Sequence, residues 1–143
     1  MGTDIRVGEA KLTSEWIGAI ATTPAMILAG DLNTFSGTPE MDVLMNEGWK
    51  CADSDVASEC TWDPSNPCVS MQEETEAHGS SGAPDYVELM LYERQAKREA
   101  KLDHVLFRGE GLKSIGSKLV LKKGRKGRPP SDHYGIFATF ALE

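Results

Sequence analysis

Two short segments, far apart in the chain, hold the side chains best suited to chemistry. Gly30-Asp31-Leu32-Asn33 closes an apolar run, and Ser131-Asp132-His133-Tyr134 opens another near the C-terminus. Side chains two apart on a strand point to the same side, so Asp31 and Asn33 present a carboxylate and an amide together. A carboxylate beside an imidazole, as in Asp132-His133, can hold a divalent cation and also move a proton. The two segments therefore offer hard oxygen ligands, an amide donor for a phosphoryl oxygen and one titratable base. That is most of a metal-assisted phosphoryl-transfer site. Asp31 and Asn33 also suit a strand-ending turn with no chemistry attached.

Asp103 lies in the otherwise apolar run Leu102-Asp103-His104-Val105-Leu106-Phe107, where an ionised carboxylate needs a partner. One reading is a salt bridge or turn contact. The other is that Asp103 accepts a hydrogen bond from an imidazole and fixes its tautomer, as the third group of a catalytic triad does. His104 alternates to the opposite face and reads as structural, and His78 reads as part of a polar loop. His133, beside Asp132 and after a basic run, is the best candidate base or phosphate contact.

The 143-residue sequence is 40% hydrophobic, enough for one domain with a real core. No apolar stretch has the ~20 residues needed to span a bilayer, and Met1-Gly2-Thr3-Asp4 does not resemble a signal peptide. Cys51, Cys60 and Cys68 are too few for a disulfide framework and contain no Cys-x-x-Cys pair, which favours free thiols in a reducing, cytoplasmic setting. The net charge of −7 opposes indiscriminate nucleic-acid binding. Its distribution is uneven. Lys118, Lys122, Lys123, Arg125, Lys126 and Arg128 form an acid-free run just before Ser131, leaving 9 basic against 22 acidic residues elsewhere. The run is either a solvated hairpin tip or an electropositive rim that draws in a phosphate-bearing substrate. Candidate substrate contacts are Asn33, Trp62, Lys123 and Arg125.

Helical spacing of Leu12, Trp16, Ala19 and Ile20 predicts an amphipathic helix over 9–22 that covers a sheet. Ala25-Met26-Ile27-Leu28-Ala29 reads as a strand buried on both faces. Thr38-Pro39-Glu40 starts a helix at 39–47 that Gly48 ends. Residues 50–68 read as irregular, 71–85 as a mobile loop, and 85–101 as a helix. Strands follow at 102–107, 117–121 and 134–140. The sum is an α/β domain with its reactive side chains at strand ends. A nucleotide-binding α/β domain is disfavoured, because no Gly-rich phosphate loop follows the first strand.

Gly30-Asp31-Leu32-Asn33, Thr61-Trp62-Asp63-Pro64, Leu102-Asp103-His104-Val105 and Ser131-Asp132-His133-Tyr134, in this order, resemble the C-terminal half of the endonuclease/exonuclease/phosphatase superfamily. Trp62-Asp63 followed by Asn66-Pro67 is similar to its sphingomyelinase branch. The resemblance spans about residues 10–143. It implies half of a two-sheet α/β sandwich, a mixed and mostly antiparallel sheet with helices on one face. It also implies Mg2+- or Mn2+-dependent hydrolysis of a phosphodiester. Asp31 and Asn33 would contact the attacking water, the phosphate or a metal, Asp132 would lie by the metal, and Asp103 would orient His133 as base or phosphate stabiliser. A lipid headgroup is the favoured substrate, with nuclease or inositol phosphate phosphatase activity as the alternative. The superfamily's first half supplies a metal-binding Glu, an Asn and a catalytic His or Tyr that are not matched here, since Glu9 and Glu15 fall on a helix. The chain is thus expected to be weakly active or inactive alone and to associate, with its missing half or with itself, through a bared sheet face. The rival expectation is a non-catalytic interaction module that keeps these residues as relics.

Overall fold

The computed structural model describes residues 2–69, 98–124 and 126–143. Their order is α1 (Gly2–Ile20), β1 (Met26–Asp31), α2 (Pro39–Asn46), β2 (Lys50–Cys51), a 3-10 turn (Ser54–Val56), β3 (Asp103–Arg108), β4 (Leu112–Val120) and β5 (Gly135–Leu142). β3 lies between β1 and β2 and is antiparallel to both, while β4 and β5 form a separate antiparallel hairpin. The architecture is the expected mixed α/β one with antiparallel sheets.

β3 is the centre of the molecule because its alternate residues feed two different cores. Leu106, fully buried, packs with Met41, Leu44 and Trp49 beneath the helices, a burial that contributes about 2 kcal/mol. Val105 and Phe107 face the other way, against Ala52 and the hairpin residues Leu112, Ile136, Ala138 and Phe140. The Phe107 and Phe140 rings meet edge to face at 5.6 Å. In the β1–β3 register Ile27 is opposite Phe107, Ala29 opposite Val105 and Asp31 opposite Asp103. Directly opposed residues share a face. One sheet face therefore runs from apolar pairs to a pair of carboxylates.

Three expectations change. β1 is an edge strand, not one buried on both faces: Met26 and Leu28 pack against the helices, whereas Ile27 on the other face is 51% exposed. Among the described residues the hairpin packs on β3, and the strand buried on both faces is β3. α1 starts earlier than the apolar spacing suggests and turns a different side inward. Leu12, Trp16 and Ile20 are 67%, 62% and 55% exposed, and Ala10 and Ile17 pack on the core instead. Polar anchoring explains the rotation. Ser14 accepts hydrogen bonds from Trp49 Nε1 and Arg108 Nη1, each at 3.0 Å, and Arg6 bonds Glu40 at 2.8 Å. Buried polar groups without partners cost more than a shifted apolar stripe gains. β2 also forms inside a segment expected to be irregular.

α2 forms where Pro39 predicts it and ends at Gly48, which sits at φ +89. Thr38 occupies the N-cap position without a capping bond and donates its hydroxyl to Phe35 O at 3.0 Å. The expected 71–85 loop, with His78, and most of the 85–101 helix lie outside the described residues.

Candidate active site

Asp31 ends β1 and Asp103 begins β3, and the antiparallel register sets them directly opposite each other. Like charges so opposed are destabilising on their own. His133 joins them from the segment before β5, where Trp62 bridges it to the rest of the fold. Its Nδ1 donates to Asp103 Oδ2 at 2.7 Å. That bond fixes the tautomer and leaves Nε2 free to take a proton. Ligand atoms of Asp31, Asp103 and His133 lie within 4.8 Å of one another, the one such metal-capable group among the described residues. The side chains of His133 and Asp103 are 22% and 20% exposed. The cluster is thus walled by protein but open to a substrate.

Asn33 completes the first segment. It sits at φ +48, its backbone N–H donates to Asp31 Oδ1 at 2.8 Å, and its Nδ2 donates to Asp31 Oδ2 at 3.1 Å. One amide N–H remains for another acceptor. Of the residues singled out in the sequence, the fold brings together Asp31, Asn33, Asp103 and His133. Asp132, expected beside a metal, is outside the cluster, and its Oδ1 accepts the Ser131 hydroxyl at 3.0 Å. Asp132 lies in a bend rather than a strand, so strand alternation does not fix its direction relative to His133.

Trp62, expected to touch substrate, is only 8% exposed and packs its ring edge-on to His133, 5.1 Å between centroids. The stretch around it acts as a hub. Thr61 Oγ1, fully buried, accepts from the backbone N–H groups of Leu102 and Asp103 at 3.0 and 3.1 Å, and Thr61 O accepts from Tyr134 N at 2.7 Å. Asn66, 1% exposed, donates from Nδ2 to Ser131 O and Asp132 O, both at 2.9 Å. Thr61 and Asn66 thus tie the Asp103 strand to the His133 segment. Their only signal in the sequence is the run Thr61-Trp62-Asp63 followed by Asn66, which looks like a loop motif. Asn66→Ala empties a buried position and leaves two part-buried carbonyls without their donor, and is expected to cost about 1–2 kcal/mol of stability by urea unfolding. A loss below about 0.5 kcal/mol would show the hub to be dispensable.

Neighbouring electrostatics keep the surroundings polarised. Asp63 is held below the ordinary carboxylate range, chiefly by the hydrogen bond from Ser65. Burial, then the nearby Asp63 charge, pushes the Tyr134 phenol up, and Tyr134 OH donates to Asp63 at 3.2 Å. Lys122 pairs with Glu59 at 2.8 Å, while Lys123, Lys126 and Arg128 are exposed. Arg125 lies outside the described residues. Behind the cluster, His104 is structural, as its strand position predicts: it is 1% exposed and its Nε2 donates to Thr34 O at 2.9 Å. Its Nδ1 lies 3.1 Å from Lys101 Nζ, and Lys101 pairs with buried Asp53.

No family model matches the sequence, and no curated protein does. Several solved structures share the fold, two of them forms of one protein. One is D. rerio TDP2, tyrosyl-DNA phosphodiesterase 2, complexed with single-strand DNA product, at 18% identity and a TM-score of 0.57, covering 99% of this chain and 51% of that one. The other is D. rerio TDP2 humanized by 14 mutations, at 17% identity and a TM-score of 0.56, covering 98% of this chain and 50% of that one. The chain spans about half the length of these proteins. At such identities the likeness is one of fold: the chain has part of an endonuclease/exonuclease/phosphatase-type α/β fold.

Proposed function

We propose that the chain carries the Asp31, Asn33, Asp103 and His133 portion of a divalent-cation-dependent phosphodiesterase site that acts on nucleic acid. The observation that carries this reading is the opposed pair of carboxylates with His133 bonded to one of them. Two carboxylates in register are costly without a counter-charge, and a site that keeps them there suits a cation. Oxygen atoms of Asp31 and Asp103 fit a hard ion such as Mg2+ or Mn2+ that completes its shell with water and substrate oxygens. An ion so held supplies positive charge against the charge that develops on the phosphoryl oxygens.

The chain's own groups then have distinct tasks. Asp103 orients the His133 imidazole and stabilises its protonated form. His133 Nε2 takes the proton of the attacking water as the new P–O bond forms and the ester P–O bond breaks. The spare N–H of the Asn33 amide donates to a phosphoryl oxygen. The exposed cations before Ser131 attract the phosphate backbone.

Nucleic acid is favoured over a lipid headgroup for two reasons. The residues behind the lipid reading, Trp62-Asp63 and Asn66, are engaged in holding the His133 segment. A protein of the same fold is complexed with single-strand DNA product. Ile27, 51% exposed beside Phe107 at 7%, marks the open part of the sheet face that further chain or a second copy would cover. The test is full-length protein with Mg2+ on single-stranded DNA, sphingomyelin and inositol phosphates. DNA is expected to turn over fastest. Preference for sphingomyelin would overturn the substrate class, and no turnover on any of the three would favour an interaction module.

A further inference from the structure

The turn that carries Asp31 and Asn33 is gripped from behind. Leu32 O accepts from Arg6 Nη2 at 3.2 Å, Asn33 O accepts from the same nitrogen, and Thr34 O accepts from His104 Nε2 at 2.9 Å. Three consecutive carbonyls are thus held by side chains from α1 and β3. Arg6 Nε also donates to Glu40 Oε1 at 2.8 Å, and the Thr34 hydroxyl donates to that same oxygen at 2.9 Å. The Glu40 side chain is 11% exposed and that of Arg6 35%, so water competes weakly at the acid. Burial raises the Glu40 carboxyl, but hydrogen bonds from its own backbone and Thr34, with the Arg6 charge, bring it below its ordinary range overall. It therefore stays an acceptor for both partners.

What this grip secures is the conformation of Asn33. At φ +48 it occupies the left-handed region that most side-chain-bearing residues avoid and that asparagine enters more readily than the rest, at a small cost. Such a turn persists only where its surroundings hold it. Here the turn aims the Asn33 N–H and amide at the two oxygens of Asp31. We propose that Arg6 is a positioning residue: by holding the carbonyls of Leu32 and Asn33, with Glu40 as its counter-ion, it fixes the left-handed turn and so orients the Asp31 carboxylate. The planar fork of arginine meets three acceptors at once, a geometry lysine does not reproduce. The consequence for an ion rests on the reading of the cluster given above; the consequence for the turn does not.

The experiment is 15N relaxation on the full-length protein, comparing wild type with Arg6→Met, Arg6→Lys, Glu40→Gln and the core variant Met41→Ala. In Arg6→Met, backbone order parameters at Asn33 and Thr34 are expected to fall from about 0.85 toward 0.6. Arg6→Lys restores them partly, Glu40→Gln lowers them less, and Met41→Ala loses stability while leaving them unchanged. Unchanged order parameters in folded Arg6→Met overturn the inference; should that variant not fold, the isosteric Glu40→Gln decides by the same readout. Mn2+ affinity gives the second arm. Arg6→Met is expected to weaken it about tenfold, and to have no further effect once Asp31→Asn is present. A wild type that binds no Mn2+ yet loses order at Asn33 in Arg6→Met sinks the ion-binding reading and leaves the positioning role standing.

Discussion

In the full-length protein, His133→Ala is expected to lower kcat on a phosphodiester by about a thousandfold, and Asp103→Asn by a comparable factor, with little change in stability for either. The two should not add. At saturating Mg2+, where weakened cation binding is made up by mass action, Asp103 acts on kcat through the 2.7 Å bond to Nδ1, so once the imidazole is gone its carboxylate has nothing left to orient. The double variant should therefore be about as slow as His133→Ala alone. Replacing Asp103 by Asn turns an acceptor of the Nδ1 proton into a group that can donate there, which favours the wrong tautomer and takes the lone pair from Nε2. Steady-state kinetics checks this directly. Losses below about tenfold would mean that the dyad is not the proton-moving pair.

The second large effect concerns stability. Lys101→Met is expected to cost about 3–5 kcal/mol, because it leaves the Asp53 carboxylate buried without its cation. The Asp53 side chain is 1% exposed and that of Lys101 10%. For a protein of ordinary stability, about 5–15 kcal/mol in total, that is a large share. Asp53 Oδ2 also accepts from the Val105 backbone at 3.3 Å and lies 3.5 Å from His104 Nδ1, so the loss spreads into β3 and the floor of the site. Burial raises the Asp53 carboxyl, but hydrogen bonds from His104 and Lys101, and the Lys101 charge, hold it below its ordinary range overall. A depressed carboxyl contributes stability that is present above the unfolded pKa, near 3.9, and is lost as pH falls through the folded value. Wild type should therefore lose stability steeply below about pH 4, and Asp53→Asn should flatten that slope. Urea unfolding at several pH values checks both, and an unchanged acid slope in Asp53→Asn would contradict the assignment.

Much of this site was legible from residue types and spacing. Asp31 and Asn33 at a strand end, Asp103 early in an apolar strand and His133 after a basic run are all brought to one point. Strand alternation alone sent His104 to the buried side. What alternation cannot supply is register. Nothing in the sequence sets Asp31 opposite Asp103, yet that pairing makes the cluster. Asp132 is not one of the three residues that the fold clusters, and its bond to the Ser131 hydroxyl is a tertiary detail that residue type does not encode. Trp62 reads as a substrate contact and Asn66 as part of a branch motif, whereas the internal partners that packing gives them are set by tertiary structure. The inward side of α1 escapes apolar spacing, which ignores polar side chains such as Arg6 and Ser14 that find partners in the fold. Those partners come from α2, the loop after β1, Trp49 and Arg108 of β3, so no local pattern contains them.

The account depends on the Asp31, Asp103 and His133 cluster working with a divalent cation. Its most direct test is the turnover of single-stranded DNA by full-length protein stripped with EDTA and then given back Mg2+ or Mn2+, alongside Asp31→Asn treated identically. The expected result is activity abolished by EDTA, restored by either ion in wild type, and not restored in the variant. Hydrolysis that persists in EDTA, or an Asp31→Asn protein as fully restored as wild type, would contradict it.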